Sequence, residues 1–315
     1  MIVLTSDMLE AHILPRGATL AGLWMKGIRH SLTLGFEQAA SFEACPIYAG
    51  ALVGPVANRV ADGRVQIGSR CYRMPANEGT TCLHSGDHGF HALEWNVSRQ
   101  SARSVTLQLE LPHMANGLPG RRVIAARYDL LPGATLALTI TASSDRDTVM
   151  NVAHHPYWCL DGHRDVSRHR LQIDAESYLP VTGAGLPTGQ ITPVAGTSYD
   201  FRTPRSVPVD RSLDANLCLS RAATAAPRRA ASLTGSNGLT LGIETTEPGL
   251  QVYNGSGLPD AAPKALQRQK IGPFAGIALE PQGWPDAPNH PEFPRISLTA
   301  GAHYSQETLY RFTNN

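Results

Sequence analysis

The stretch Thr135-Leu-Ala-Leu-Thr-Ile-Thr141 places an apolar side chain at every second position. Two further stretches, Val105-Thr-Leu-Gln-Leu-Glu-Leu111 and Leu239-Thr-Leu-Gly-Ile-Glu-Thr245, repeat this two-residue period. The period is typical of a β-strand with one buried face and one solvated face. No stretch of comparable clarity shows the 3.6-residue period of a helix. The three stretches therefore predict an all-β fold.

Glycine and proline favour the same fold class. The 29 Gly and 23 Pro residues are spread along the whole chain and predict short segments bounded by turns. One polar face per strand suits antiparallel sheets better than parallel ones, so we expect a large antiparallel β-sandwich. No Gly/Ser-rich linker divides the chain, and residues 1–315 are expected to form one domain. The Arg- and Ala-rich stretch from Ser220 to Ser236 is expected to be a surface loop.

The near-zero net charge indicates which kinds of binding partner the protein can attract. The chain has 27 Lys and Arg residues against 26 Asp and Glu residues, and 42% of it is hydrophobic. Such a balance gives no long-range field that could attract nucleic acid or an anionic membrane. We therefore expect a small, near-neutral partner, with no nucleic acid and no membrane as partner. A monomer and a homodimer both remain open.

The cysteines and the first residues of the chain indicate the cellular compartment. Five cysteines without a CxxC pair argue against a disulfide framework and against a zinc knuckle. We expect buried free thiols at Cys45, Cys71, Cys82, Cys159 and Cys218. The first residues lack the features of a secretion signal, and nowhere do 18 apolar residues run together. These features predict a cytoplasmic protein.

Two polar segments are candidates for ligand contacts. Asn58 and Arg59 follow an apolar run and could donate hydrogen bonds, although a surface ion pair explains the arginine at least as well. Farther on, His84, His88 and His91 suggest a metal, since histidine is a common zinc ligand. Their i, i+4, i+7 spacing would serve a metal only on a helix, which the intervening glycines disfavour. We therefore expect no metal site here.

A histidine and an aspartate stand among apolar residues. Pro156 favours an extended conformation at His155, so this histidine is expected on or at the end of a strand. It is either a satisfied core residue or a general acid, because imidazole titrates near neutral pH. Asp214 lies between apolar positions, where an Asx-turn cap is the ordinary structural explanation.

The most informative segment is Gly276-Ile-Ala-Leu-Glu280-Pro-Gln-Gly-Trp-Pro-Asp-Ala-Pro-Asn289. Residues 277–279 are predicted to form a buried strand that ends directly at Glu280. A carboxylate at that point is partly desolvated, which raises its basicity. Few structural roles require a carboxylate there, so Glu280 is a candidate catalytic group.

Taken in order, short blocks of this chain resemble the aldose 1-epimerase (galactose mutarotase) family from about residue 14 to the carboxyl end. The blocks are Asn58-Arg59, Leu83-His84-Ser85-Gly86 with Gly89-Phe90, His154-His155-Pro156-Tyr157-Trp158-Cys159-Leu160, Asp214-Ala215-Asn216-Leu217, Pro248-Gly-Leu-Gln-Val-Tyr-Asn254-Gly255, and Leu279-Glu280-Pro-Gln282-Gly-Trp-Pro-Asp286-Ala-Pro-Asn289 with Phe293-Pro294. Each block alone is a weak signal. Their shared order over this length makes the resemblance specific.

The resemblance implies a galactose mutarotase-like supersandwich with an open cleft for a monosaccharide, and neither a metal nor an organic cofactor. It assigns Glu280 as the base that removes the proton from the anomeric hydroxyl, and His155 as the acid that protonates the ring oxygen. The ring opens and recloses on either face, which interconverts the α and β anomers. Each such group typically contributes about 10²–10⁴-fold. The residues expected to bind the sugar are Asn58, Arg59, His84, Tyr157, Asp214 and Gln251.

The chain departs from the family pattern at several positions near the expected sugar contacts. The departures are Pro55 for Arg, His154 for Asn, Pro156 for Ser, Cys159 for Asn, and Ala215 for His. None of them removes the expected acid or base, but they leave the preferred sugar open. Trp158 and Trp284 are interpreted as either core residues or platforms under a sugar.

Three other functions compete with mutarotation. A glycoside hydrolase would use Asp214 and Glu280 as its carboxylate pair, but the candidate acid here is a histidine. An epimerase of a phosphorylated sugar would need a basic cluster, for which Arg59 alone is thin support. A sugar-binding or sensing protein would keep the pocket without turnover, although both proton-transfer residues remain.

Overall fold

The structure, a computed structural model, describes residues 1–267 and 269–314. These residues form mainly short strands. The strands are β1 (Ile2–Thr5), β2 (Leu9–Leu14), β3 (Thr19–Met25), β4 (Leu52–Val53), β5 (Arg59–Val60), β6 (Arg64–Ile67), β7 (Arg70–Arg73), β8 (Cys82–Leu83), β9 (Asn96–Gln100), β10 (Ser104–Leu111), β11 (Arg122–Leu131), β12 (Thr135–Ser144), β13 (Thr148–Val149), β14 (Ala153–His154), β15 (Tyr157–Trp158), β16 (Arg170–Ile173), β17 (Ser177–Tyr178), β18 (Thr192–Pro193), β19 (Arg205–Ser206), β20 (Asp214–Cys218), β21 (Arg228–Thr234), β22 (Leu239–Thr245), β23 (Gly249–Tyr253), β24 (Ile277–Gln282), β25 (Ser297–Leu298) and β26 (His303–Asn314).

Helical structure is limited to short segments. These are the α-helix α1 (Ala39–Ala44) and 3-10 turns at Ala61–Gly63, Phe90–Ala92, Ala115–Gly117, Val166–Arg168 and Ala287–Asn289. In the described part of the chain, no helix combines the length and the apolar character needed to cross a membrane.

One sheet has nine antiparallel strands in the order β19-β16-β21-β22-β26-β12-β11-β10-β9. The three alternating stretches of the sequence form its strands β10, β12 and β22. In β10 every second residue from Val105 to Leu111 is buried, whereas Gln108 and Glu110 between them are exposed. The strand predictions from the two-residue period are therefore confirmed.

A second antiparallel sheet has six strands in the order β15-β24-β23-β20-β17-β18. The largest apolar cluster takes Leu138 and Leu241 from the nine-stranded sheet, and Leu250, Val252 and Leu279 from the six-stranded sheet. Burial of these shared side chains holds the two sheets face to face. The antiparallel β-sandwich predicted from the sequence is therefore confirmed.

Short strand pairs bring distant segments to the six-stranded sheet. In β5 and β8, Arg59 lies opposite Leu83, next to His84. In β4 and β14, Leu52 lies opposite His154, and the chain passes from there into β15 of the six-stranded sheet. The two strand pairs contain three of the family-like blocks, and the pairing of β15 with β24 joins one of them to the block that carries Glu280.

The stretch from Ser220 to Ser236 corrects the prediction of a surface loop. Its second half forms β21, which pairs with β16 and β22 inside the nine-stranded sheet. The prediction holds for residues 220–227, which form an irregular loop with no buried residue, and is wrong for residues 228–234, where Arg228 binds within the protein. Its Nη2 donates to the Ser220 hydroxyl at 2.7 Å and to the Glu247 carbonyl at 2.8 Å.

The structure also decides two smaller questions. All five cysteines are free and four are buried, but Cys71 is exposed because it lies on the open β6-β7 hairpin. Trp158 and Trp284 are 0% and 1% exposed. Trp158 packs against Tyr310 and Trp284 against Phe293, so both tryptophans are core residues.

Candidate active site

Three neighbouring strands place a row of polar side chains on one face of the six-stranded sheet. Gln251 on β23 lies opposite Glu280 on β24 and opposite Asn216 on β20. The next residue of β23, Val252, belongs to the apolar core, so alternation turns Gln251 to the other face. Asp214 is two residues from Asn216 and shares that face. The strand register therefore assembles one half of the site.

Glu280 lies within its strand and not at its end. The prediction that the strand stops at Glu280 was wrong, because β24 stays paired with β23 through Pro281 and Gln282. On the far side, the Gln306 side-chain amide donates to the Pro281 carbonyl at 3.1 Å. Glu280 is consequently only 2% exposed and is held by a rigid part of the backbone.

His155 directly follows β14, as expected for a residue at the end of a strand. Its backbone N–H donates to the Ala51 carbonyl at 3.0 Å. In the next strand Tyr157 pairs with Ala278, and extending that register by two residues brings His155 level with Glu280. The imidazole Nε2 lies 3.5 Å from Glu280 Oε1. The two candidate proton carriers are therefore neighbours.

Asn58 and His84 form a second wall of the site. Both have positive φ, 63° and 51°, which is uncommon for residues other than glycine and is often found at functional sites. Asn58 N–H donates to His84 Nδ1 at 3.2 Å, and His84 N–H donates to the Asn58 carbonyl at 3.1 Å. An imidazole that accepts at Nδ1 carries its proton on Nε2. His84 is thereby fixed as a donor through Nε2.

Arg59 is the centre of a hydrogen-bonded chain. Its Nε and Nη2 donate to the two carboxylate oxygens of Glu78 at 2.8 and 3.3 Å, and its Nη1 lies 3.5 Å from Asp214 Oδ2. Gln251 Nε2 in turn donates to Asp214 Oδ1. Asp214 begins β20 and binds these two side chains, so the Asx-turn explanation does not apply.

A cavity of about 330 Å³ joins these groups. All eight residues that the sequence singled out line it: Asn58, Arg59, His84, His155, Tyr157, Asp214, Gln251 and Glu280. Other lining residues include Ile47, Tyr48, Glu78, Leu83, Tyr253 and Leu258. The mixture of polar groups with an apolar and aromatic wall is typical of a small-molecule site.

Burial shifts the pKa values of His155 and Glu280 in opposite directions. It lowers the pKa of His155 to about 4. Burial, and after it the charge of Asp214, raises the pKa of Glu280 well above the usual range of a carboxyl group. The pair therefore holds one proton over a wide range of pH. One group can give a proton while the other takes one, as bifunctional acid–base chemistry requires.

The three histidines that suggested a metal are used separately. His84 lines the cavity, His88 is exposed, and the ring of His91 stands edge-on to Tyr48 with centroids 4.8 Å apart. Among the residues that the structure describes, no three His, Cys, Asp or Glu side chains are grouped to hold a metal ion.

Sequence reasoning missed the three further lining residues with polar side chains, Tyr48, Glu78 and Tyr253. Tyr253 lies two residues after Gln251 on the same face of β23, so strand periodicity could have found it. Glu78 lies in the same segment as His84, but its link to Arg59 depends on tertiary structure. The ring of Tyr48 lies 4.7 Å from that of His84, and no pattern in the sequence indicates this contact.

The five departures from the family pattern lie outside the lining of the cavity. His154 is one example, since strand alternation turns it away from His155 and its Nδ1 lies 3.0 Å from the Tyr310 hydroxyl. Ala215 pairs with Val252 and is buried. These positions can influence the site only through the residues that they support.

Comparisons with known proteins identify the family to which this chain belongs. The family described as aldose 1-epimerase matches residues 1–311. Galactose mutarotase of Rattus norvegicus is 34% identical over 98% of this chain and 93% of its own length. Aldose 1-epimerase of Escherichia coli is 31% identical over 90% of this chain and 85% of its own.

Solved structures extend the match to three dimensions. The structure described as an aldose epimerase homologue from C. elegans has a TM-score of 0.92 at 30% identity, and the match covers 99% of this chain and 98% of that one. Galactose 1-epimerase from Lactobacillus acidophilus has a TM-score of 0.86 at 26% identity, covering 99% and 93%. With its sandwich, its ordered blocks and these relatives in agreement, the chain belongs to the aldose 1-epimerase family.

Proposed function

We propose that this protein is a mutarotase that interconverts the α and β anomers of a free aldose. The observation that carries the proposal is the direct contact of two buried proton carriers, with His155 Nε2 lying 3.5 Å from Glu280 Oε1. They share a cavity with side chains able to hold sugar hydroxyls. Mutarotation needs one proton to leave a hydroxyl and another to reach the ring oxygen, and a neighbouring acid and base meet that need.

In the proposed reaction Glu280 takes the proton from the anomeric hydroxyl while His155 gives a proton to the ring oxygen. The bond between the anomeric carbon and the ring oxygen breaks, and the anomeric carbon becomes the carbonyl of an open-chain aldehyde. After rotation about the adjacent carbon–carbon bond, the two groups run the steps backwards on the other face. The number of protons on the pair is unchanged over the cycle.

The opposed acidities suit this cycle. Because burial lowers the pKa of His155 to about 4 and raises the pKa of Glu280, the shared proton is favoured on Glu280 over His155. That is the protonation state which follows ring opening and precedes ring closure. Ring opening requires the reverse arrangement, with the proton on His155 and with Glu280 ionised, and the two groups lie 3.5 Å apart.

The remaining predicted residues are proposed to bind the sugar. Neutral His84 offers the donor at Nε2, because burial lowers its pKa well below the usual range. Gln251 Oε1 is buried and has no hydrogen-bond partner among the described residues. A buried acceptor of this kind calls for a donor, and a sugar hydroxyl supplies one. Asn58, Arg59, Tyr157 and Asp214 complete the set of donors and acceptors around the cavity.

The rival functions fit the site less well. A hydrolase would use Asp214 beside Glu280, but Asp214 already accepts hydrogen bonds from Arg59 and Gln251. An epimerase of phosphorylated sugars would need free cations, and Arg59 is paired with Glu78. A binding protein without turnover would not need two proton carriers in contact.

The test is mutarotation of freshly dissolved α-anomers of galactose, glucose, fucose, arabinose and rhamnose, followed by polarimetry or NMR. We expect the protein to accelerate at least one sugar and thereby identify its substrate. Binding of an aldose without acceleration would instead identify a sugar-binding protein. Activity restricted to a phosphorylated sugar, or release of nitrophenol from a nitrophenyl glycoside, would favour the corresponding rival.

A further inference from the structure

We propose that Glu78 sets the charge specificity of this cavity: its carboxylate neutralises Arg59, so that the site accepts uncharged aldoses and rejects anionic ones. The inference rests on the proposed function, because it concerns which aldoses reach the same acid–base pair. Glu78 thus acts as a specificity-determining residue, through Arg59 and through its own charge at the cavity.

The contact between Glu78 and Arg59 has the geometry of a strong ion pair. Both carboxylate oxygens accept hydrogen bonds, from Nε at 2.8 Å and from Nη2 at 3.3 Å. Two-point contacts of this kind fix orientation as well as charge. The Arg59 side chain is only 19% exposed, which strengthens the pair relative to a fully solvated one.

Arg59 is also confined by other neighbours. Asp214 Oδ2 lies 3.5 Å from its Nη1, and a Cβ added to Gly185 would stand 2.9 Å from the guanidinium. The backbone of Gly185 therefore lies against Arg59, leaving little room for the arginine to move. Of five guanidinium N–H groups, these contacts use three. The other two remain to donate to the uncharged hydroxyl groups of a sugar.

The charge balance of the cavity depends on this pair. Among the described lining residues, Arg59 is the single Lys or Arg. His84 and His155 are neutral near pH 7, because burial lowers the pKa of each of them. Arg59 is consequently the group best placed to attract an anion. With Glu78 bound to it and Asp214 nearby, a carboxylate or phosphate on a sugar meets no free positive charge.

Hydrogen bonds of the backbone fix the turn that carries Glu78. Its backbone makes a tight turn, with Glu78 N–H donating to the Thr81 carbonyl at 3.0 Å and Thr81 N–H donating back at 2.9 Å. Next to it, Asn77 Oδ1 accepts the N–H of Leu83 at 2.7 Å. The turn is thereby tied to the segment that carries His84. The turn fixes the backbone of Glu78, and the two hydrogen bonds from Arg59 hold its 39% exposed side chain at the cavity.

The experiment compares the wild-type protein with Glu78→Gln on two galactose-related sugars, galactose and galacturonate, at pH 7 and low salt. Glutamine keeps the shape and removes the charge. We expect kcat/KM for galacturonate to rise about tenfold or more relative to that for galactose, the size typical of one charge-assisted contact. The gain should appear mainly in KM and should shrink in 0.5 M salt. The methyl ester of galacturonic acid should show no such gain, because it lacks the charge.

The matched control is Glu110→Gln. Glu110 makes a similar two-point pair with Arg121, but on the outer face of the nine-stranded sheet and away from the cavity. This variant should keep the wild-type ratio of the two sugars. An unchanged ratio in a folded, active Glu78→Gln protein would overturn the inference, as would an equal gain for the methyl ester. If the wild-type protein accelerates no aldose, the proposed function itself fails, which is a different result.

Discussion

The two large sheets of this protein share strand geometry but differ in what they bury. In β12 of the nine-stranded sheet, Leu136, Leu138 and Ile140 point inward, and the exposed Thr141 points outward. In β24 of the six-stranded sheet the side chains on both faces are buried. Glu280 lies on the face that points away from the apolar core. A polar residue thus becomes chemically useful where other segments cover the second face of its strand.

The two kinds of buried side chain also contribute differently to the free energy of folding. Apolar side chains between the sheets supply stability in proportion to the area removed from water. Buried polar groups cost free energy unless they are hydrogen-bonded, and Glu280 Oε2 and Gln251 Oε1 have no partner among the described residues. Such groups are expected to matter more for a ligand than for the fold.

The largest expected effect is on catalysis at the six-stranded sheet. Glu280→Gln and His155→Asn should each lower kcat by about 10²–10⁴-fold, because each removes one of two proton carriers. The free energy of unfolding should change little, since each replacement has a similar size. Polarimetric rates and urea unfolding measure the two quantities. Near-wild-type rates in both variants would contradict the roles given to these residues.

The nine-stranded sheet should show the opposite pattern. Leu138→Ala should lower the free energy of unfolding by about 2–5 kcal/mol, because Leu138 is 2% exposed and its removal leaves a cavity. Turnover by the protein that remains folded should stay near the wild-type value. Thr141→Ser on the exposed face is the control, with an expected change within about 0.5 kcal/mol. A large loss of kcat in folded Leu138→Ala protein would remove the distinction between the sheets.

The pH dependence of kcat/KM should report the single proton of the catalytic pair. Below a pH of about 4, His155 is protonated while Glu280 also carries a proton, so the pair has no base left. Activity should then fall about tenfold per pH unit. At the alkaline end activity should fall above the raised pKa of Glu280, where the acid is lost.

Acid unfolding must be separated from this effect. Burial lowers the pKa of His154 to about 3 and that of His155 to about 4, so both bind protons more readily when unfolded. Stability should therefore decline as pH falls below about 6.5. Circular dichroism at each pH identifies the folded range, and a flat rate profile from pH 3 to 5 in folded protein would refute the assignment.

The smallest expected effect lies at the contact between the two sheets. Gln306→Met removes the donor to the Pro281 carbonyl next to Glu280 and the acceptor of the Tyr304 hydroxyl. We expect a loss of about 1–3 kcal/mol of stability from the groups left without a partner, with a few-fold drop in kcat and a small change in KM. Gln108→Met on the exposed face of β10 is the control. Equal behaviour of the two variants would show that this bond does not support the site.

Sequence reasoning succeeded where the signal was local or where residue order carried it. The two-residue period identified β10, β12 and β22, and the family-like blocks indicated eight residues that line one cavity. It failed for the second half of the stretch Ser220–Ser236, which forms a strand and whose Arg228 donates to groups within the protein. It also missed Glu78, whose partner Arg59 is 19 residues away.

The sequence by itself determined the all-β class, the near-neutral charge and the identity of the acid and base candidates, because periodicity, composition and ordered motifs are properties of the chain. The tertiary structure alone decided that His155 stands level with Glu280, that Glu78 holds Arg59, and that burial moves the two acidities apart. These features depend on strand register and on which segments cover a sheet face. Both arise from contacts between residues far apart in the chain, which local patterns do not encode.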